Sequence, residues 1–283
     1  MSLFGYNPMK LYEGRGVFEA LGAGQEIKVG DIAFKSNFAF INTETKIVER
    51  RRVDRGFPSW GIPLCEALTG MSIPGYPEHS VEFKYATEHR CGVKVSGPRL
   101  SHRITGNDPL KDNLLAVKCE ARPQGGEDAQ FTAELINVLS DEITRQLLQH
   151  PINVERKAQG LPYTNFVTLR GAGITIDEPS FESRHGLKPF MIAPTAIIRG
   201  VGKTFGMEFL DDVEGMTGYY DSNLDGKFTR AAREIIENTG NYDFGFVHIK
   251  AVDDAGHDKN KDIKVEQIEK SDRALRKMID MLG

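Results

Sequence analysis

Cysteine is scarce: Cys65, Cys91 and Cys119 are the only three in 283 residues, widely spaced and without a CxxC pair. An odd, scattered set excludes a disulfide framework and a thiolate zinc site, so these thiols are expected to be reduced bystanders. Long apolar runs are also missing, and no stretch approaches the roughly 20 residues that span a bilayer, so a membrane is not an expected partner. The opening Met1-Ser2-Leu3-Phe4-Gly5-Tyr6-Asn7-Pro8 has no basic region followed by an apolar core, so no signal peptide is read and a cytoplasmic location is expected. No lysine or arginine block stands out and the formal net charge is −4, which removes the electrostatic footprint of a nucleic-acid partner. A small anion remains open as a ligand, because a local arginine cluster can hold one whatever the net charge.

What is present fits an ordinary globular protein, with 27% charged and 40% hydrophobic residues. The length suits two compact units, each with its own core. From about residue 162 onward strand-like and helix-like stretches alternate, the pattern of a parallel sheet flanked by helices. Asn165 to Arg170 reads as its first strand, Pro194 to Phe205 as a helix, Leu224 to Thr239 as another, and Phe244 to Lys250 as a strand covered on both faces. The last helix, about Lys261 to Leu282, carries Val265, Ile268, Leu275, Ile279 and Leu282 at helical spacing, so that stripe is expected to pack on something. The stretch from Glu13 to Gly160 differs, with short strands at Ile32 to Ile41, Val81 to Ala86 and Gly92 to Val95 between Gly and Pro turns. A helix from Glu127 to Gln149 closes it with the apolar face Phe131, Leu135, Val138, Leu139, Ile143 and Leu147. Pro151 ends that helix, and Glu155 to Gly160 reads as a polar linker.

The segment with most chemistry is His248-Ile249-Lys250-Ala251-Val252-Asp253-Asp254-Ala255-Gly256-His257-Asp258. An apolar strand runs into carboxylates and imidazoles at the sheet edge where α/β folds place ligands. Asp253 and His257, four residues apart, could meet one ion on a single turn, and manganese or zinc tolerates that oxygen and nitrogen mixture. A solvated loop with a helix cap is the competing reading. Gly200-Val201-Gly202-Lys203-Thr204 imitates the end of a phosphate-binding loop, but Ile197 stands where its first glycine belongs. Asp221-Ser222-Asn223-Leu224-Asp225-Gly226 imitates half an EF-hand, yet Ala232 sits where a bidentate carboxylate is needed, so capping by Asn223 or Asp225 is expected instead. Arg50, Arg51, Arg52 and Arg55 form the densest basic cluster, and their forks suit carboxylate or phosphate. Arg15 between two glycines, and His89 with Arg90, are further candidates of the same kind.

Several separated segments together resemble one family, the archaeal-type 2,3-bisphosphoglycerate-independent phosphoglycerate mutases of the alkaline phosphatase superfamily. They include Leu3 to Pro8, Gly14 to Gly22, Asn37-Phe38-Ala39, Arg51 to Arg55, His89-Arg90, Asn107-Asp108-Pro109 and His150 to Asn153. Leu169 to Gly173, Gly215 to Tyr219 and Asp253 to Asp258 continue the series, in family order. The resemblance implies an α/β fold: a partial alkaline-phosphatase-like sheet with helices from residues 1–12 and 162–283, and an inserted α+β substrate-binding domain at 13–161. It implies an isomerase that interconverts 3-phosphoglycerate and 2-phosphoglycerate in glycolysis and gluconeogenesis, through a phosphoserine and two divalent ions, manganese by preference. Asp253 and His257 are then similar to two ligands of one metal site. Arg51, Arg52, Arg55, His89, Arg90 and Arg15 are similar to the family's substrate-gripping surface, although Val53-Asp54 replaces the usual Ala-Gly pair.

In this family the nucleophilic serine precedes the Leu-Phe-Gly-Tyr segment, which places it before Met1, and the remaining metal ligands would follow Gly283. No catalytic nucleophile is therefore assigned, and the expectation is an incomplete, inactive chain with at most one partial metal site. The alternative is a non-enzymatic phosphoglycerate- or carboxylate-binding regulatory remnant. Another superfamily enzyme, such as a phosphopentomutase or a phosphonate hydrolase, is disfavoured by the matches within residues 13–161.

Overall fold

The structure, a computed structural model, describes residues 1–53, 58–238 and 240–283. Contacts divide it into two units, Ser2 with Phe4–Ile176, and Met1 and Leu3 with Asp177–Gly283.

The first unit opens with helices α1 (Pro8–Leu11) and α2 (Gly16–Gly22). Its sheet runs in the order β3-β4-β1-β2-β5, formed by β1 (Ile32–Ile41), β2 (Ile47–Arg50), β3 (Ser80–Thr87), β4 (Arg90–Ser96) and β5 (Leu114–Leu115). Every pairing in this sheet is antiparallel, including that of β6 (Phe166–Gly173) with β1. β1 is buried almost throughout because both of its faces are covered. Ile32, Phe34 and Phe38 join the main core with residues of α3 (Pro58–Leu68) and α4 (Gly126–Gln149). On α4 the buried Leu135, Leu139, Ile143 and Leu147 recur every fourth residue, and each such side chain contributes about 1.5–3 kcal/mol by leaving water. The expected α4 face is thus present, with Phe131 and Val138 packed at its margin. At His150 the backbone turns extended (ψ 131°) and Pro151, which has no N–H to donate, starts α5 (Pro151–Ala158). The expected linker from Glu155 is therefore helical as far as Ala158.

The expected start of a parallel sheet at Asn165 is corrected: β6 completes the antiparallel sheet, and the border between the units falls at Ile176 and Asp177 rather than near 161. Local chemistry explains the pairing. The Asn165 side chain imitates a further ladder rung, accepting from Ile41 N–H and donating to Ile41 O, both at 2.8 Å. The Asn107 carboxamide accepts from Leu169 N–H at 2.6 Å and donates to Val167 O at 3.1 Å, so polar side chains fix the register.

The second unit contains α6 (Phe181–His185), β7 (Pro189–Ile192), α7 (Ala196–Thr204), β8 (Glu208–Phe209), α8 (Leu224–Glu237), β9 (Phe244–Val247), α9 (Ala251–His257) and α10 (Lys261–Leu282). Its strands form a parallel sheet in the order β8-β7-β9, which is the layered pattern expected from sequence. β9 departs from expectation in being half-exposed rather than covered on both faces. The stripe of α10 is corrected as well. Val265, Ile268, Leu275, Ile279 and Leu282 are exposed, while Gln267 and Ala274 face inward. Small Ala274 lets α10 lie close to Leu224 and Phe228 of α8, and that close approach selects the less apolar face for contact. No helix among the described residues is long and apolar enough to cross a membrane.

Candidate functional site

The first unit gathers cations on the β1, β4 and β6 region of its sheet. Lys35 lies in register with Arg170 across the β1–β6 pair. Arg15 is brought to the same place by two glycines pressed on these strands. Gly14, at φ +112°, would place a Cβ 2.0 Å from Ala172 O, and a Cβ on Gly16 would come 2.0 Å from Ala33 O. Only glycine permits that approach. Arg15 Nε donates to Glu19 Oε1 at 2.9 Å, and Lys35 Nζ lies 3.5 Å from the same oxygen. One carboxylate thus serves two cations. Burial drives the Lys35 ammonium down to about 8, Glu19 opposes the shift, and Arg15, Arg170 and Arg90 add to it.

Arg51, on the residue after β2, is bound internally. Its Nε and Nη2 donate to the two oxygens of Asp108 at 2.6 and 2.7 Å, and its backbone N–H donates to Asp112 at 2.8 Å. Burial pushes the Asp108 carboxyl up, but the Arg51 bonds outweigh it and hold the group below the usual carboxylate range. Arg170 Nε lies 3.3 Å from Asp108, close enough for charge attraction but not aligned for a hydrogen bond. Arg51 therefore acts as a strut, and its fork is not open to a ligand. Arg52 is exposed, and Arg90 sits beside Glu88 at 3.2 Å with much of its side chain open. Arg50 leans over the Phe40 ring at 5.2 Å, away from this role. Arg55 lies outside the described residues.

His89 is buried, and among the described residues neither ring nitrogen has a hydrogen-bond partner. Burial first, then Arg90, push its pKa down to about 4, so it is neutral at pH 7. Arg90, Arg52 and Lys35 act on it against Glu88 alone, and over this face, among the described residues, the interacting cations Arg15, Lys35, Arg51, Arg52, Arg90 and Arg170 outnumber the carboxylates Glu19, Glu88, Asp108 and Asp112. A neutral imidazole among excess guanidinium groups is suited to a polyanion that also carries a hydroxyl. Lys35, Arg170 and Asp108 did not stand out as candidates in the sequence. A lone lysine inside the apolar run Ile32-Ala33-Phe34-Lys35 was the available signal, since strand interiors rarely carry an unpaired charge.

In the second unit Asp253 and His257 occupy one turn of α9, with Asp253 Oδ1 and His257 Nε2 3.6 Å apart. They point toward each other and are open to solvent, with 60% and 78% of their side chains exposed. Lys250 Nζ lies 2.5 Å from Asp253 Oδ2 and also contacts Asp254, and this ammonium holds the Asp253 carboxyl below its ordinary range. An oxygen and an imidazole nitrogen at this spacing fit as two ligands of one borderline divalent ion. No group of three potential ligands occurs among the described residues, so the pair fits part of a coordination shell. The two decoys resolve as well. Gly200 to Thr204 is the end of α7 rather than a phosphate-binding loop, and Asn223 caps α8, accepting from Gly226 N–H at 2.8 Å.

Comparison with known proteins identifies the family. Residues 1–153 match the family model for 2,3-bisphosphoglycerate-independent phosphoglycerate mutase. The chain belongs to this family. It is 36% identical over 276 residues to phosphoglycerate mutase 1 of Methanocaldococcus jannaschii, covering 97% of this chain and 64% of that protein. The Sulfurisphaera tokodaii phosphoglycerate mutase is 37% identical over 287 residues, covering 100% of this chain and 66% of its own length. The chain therefore spans slightly less than two thirds of these relatives. Among solved structures, the cofactor-independent phosphoglycerate mutase of Thermoplasma acidophilum superposes with TM-score 0.66 at 32% identity, covering 98% of this chain and 69% of that one. A Pyrococcus horikoshii protein gives TM-score 0.76 at 26% identity, covering 99% and 62%. The mixed α/β fold is thus shared with phosphoglycerate mutases.

Proposed function

We propose that the cationic face of the first unit grips phosphoglycerate for phosphoglycerate mutase chemistry, the exchange of phosphate between the 3 and 2 positions through a phosphoserine. The observation that supports it is the in-register Lys35 and Arg170 pair, flanked by Arg15, Arg52 and Arg90 and short of carboxylate partners. Arg170, Arg52 and Arg90 offer forks to carboxylate and phosphate oxygens, and Arg51 with Asp108 fixes the backbone beside them. Neutral His89 offers a hydrogen bond to a hydroxyl without adding charge. Asp253 and His257 would hold one divalent ion, with manganese the expected metal. When bound, such an ion neutralises phosphate charge and helps deprotonate a hydroxyl.

Without a third ligand among the described residues, the 283-residue chain by itself is read as binding phosphoglycerate without turning it over. The same observation favours a second reading, in which this stretch serves as a phosphoglycerate sensor whose binding survives a chelator. An enolase-coupled assay with manganese and 3-phosphoglycerate tests the first reading. No 2-phosphoglycerate above the uncatalysed background is expected, and its formation would overturn the inactive state.

A further inference from the structure

Glu19 is a carboxylate on the inward side of α2, where its neighbours Val17, Phe18 and Ala20 are buried with it. A carboxylate withdrawn from water is costly unless its charge is met. Both cations that meet it belong to the cationic face of the first unit. Arg15 approaches through Nε at 2.9 Å and Nη2 at 2.8 Å, and Lys35 through Nζ at 3.5 Å, all on Oε1. The Arg15 side chain is 41% exposed and that of Lys35 12%, so Arg15 is the cation with freedom to move.

The sheet beneath α2 is shaped to receive this carboxylate. Lys35 is in register with Arg170 on one side and with Gly92 of β4 on the other. A Cβ on Gly92 would stand 2.9 Å from Ala20 Cα, so the missing side chain lets α2 settle onto β4 just as Gly14 and Gly16 let the chain settle onto β6 and β1. Lys35 therefore finds a cation along one flank and no side chain along the other, and its counter-charge comes from α2 above it. Among the described residues Glu19 is the one carboxylate paired with Lys35. The other charged groups that act on Lys35 are Arg15 on α2, Arg170 on β6 and Arg90 at the start of β4, all cations, with the neutral His89 beside them.

We propose that Glu19 is a positioning residue for the anion site, aligning the Arg15 guanidinium and serving as the counter-charge of Lys35 so that both cations meet one anionic group of the ligand. The proposal rests on the phosphoglycerate reading of this face. A carboxylate beside an anion site repels the ligand, and on charge alone its removal would tighten binding at every pH. Removal also leaves Lys35 buried among Arg15, Arg90 and Arg170 with nothing opposing them, and a buried ammonium in that position sheds its proton. Glu19 thus spends some attraction for the ligand to keep the lysine charged, and the two effects separate along the pH axis.

The test is calorimetric titration of 3-phosphoglycerate, with EDTA present, into the unmodified chain and into Glu19→Gln, which keeps the side-chain shape, from about pH 6 to pH 9. In the unmodified chain affinity is expected to fall as Lys35 titrates at about 8. In Glu19→Gln the fall is expected at lower pH, so the variant binds as tightly as its parent or tighter near pH 6 and at least about threefold more weakly near pH 8. A merely structural role would weaken binding equally across the range. Glu19→Asp, with its carboxylate set back by one methylene, is expected to lie between the two and carries the test if Glu19→Gln does not fold. Side-chain lysine resonances of the unligated chain, with Lys35 assigned by its loss in Lys35→Met, are expected to show Lys35 titrating at lower pH in Glu19→Gln, a readout that needs no ligand. Superimposable binding profiles in parent and variant, or an unmoved Lys35 titration, would overturn the role of Glu19. Failure of the unmodified chain to bind at any pH would instead remove the phosphoglycerate reading beneath it.

Discussion

Lys35 and Arg170 stand directly opposite each other across the β1–β6 pair, two cations in register where a sheet ordinarily places an apolar or oppositely charged couple. The nearest anions, Glu19 for Lys35 and Asp108 for Arg170, are already engaged by Arg15 and Arg51. The fold therefore carries a local repulsion that a bound anion would relieve.

Replacing Lys35 with methionine is expected to stabilise the unligated chain by about 1 kcal/mol, the scale of a cross-strand charge pair. Urea unfolding at pH 7 checks this. The direction with pH follows from the lowered folded pKa. Between about 8 and the ordinary lysine value the unfolded chain holds a proton that folded Lys35 has released, so stability rises with pH in that window. Lys227, also lowered to about 8 by burial, contributes in the same sense. Lys35→Met is expected to reduce the rise by roughly half.

His89 acts in the same sense at lower pH. Its folded pKa of about 4 lies below the ordinary 6.5, so on acidification through that window the unfolded state takes up a proton first and stability falls, by up to about 3 kcal/mol. His89→Phe is expected to flatten that part of the stability profile, measured by chemical denaturation from pH 7 to pH 4. An unchanged slope would place His89 in solvent.

The Arg51 and Asp108 pair is a strut, and removing one member strands the other. Asp108→Ala is expected to cost about 3–5 kcal/mol, more than Arg52→Ala, which removes an exposed side chain. Paired thermal melts of the two variants check the ranking.

For α9, electron paramagnetic resonance of added manganese is expected to show weak binding that Asp253→Ala or His257→Ala each abolishes. Lys250→Met, which removes the ammonium competing for Asp253, is expected to tighten it.

Much of this was legible in the residues, for definable reasons. The α4 stripe and the Asn223 cap could be read because helix periodicity and capping are local. The Asp253 and His257 turn was legible for the same reason, since four residues of helix set its geometry. β6 was misplaced because its partner is fixed by Asn107 and Asn165, whose bonds span from 60 to 124 residues of chain. The α10 face was misjudged because contact was decided by the small size of Ala274 against α8, not by the more apolar stripe. Lys35 and Arg170 emerge as a pair only when strand register is known, and register between distant strands is not a local property.

The most direct measurement is calorimetric titration of 3-phosphoglycerate into the chain with EDTA present, run beside the Lys35→Met, Arg170→Met double variant. Saturable binding that survives the chelator and weakens at least tenfold in the variant is expected, from loss of charge-assisted bonds of about 1.5–3 kcal/mol each. No binding heat in the unmodified chain, or equal affinity in both, would contradict the assignment of this face to phosphoglycerate.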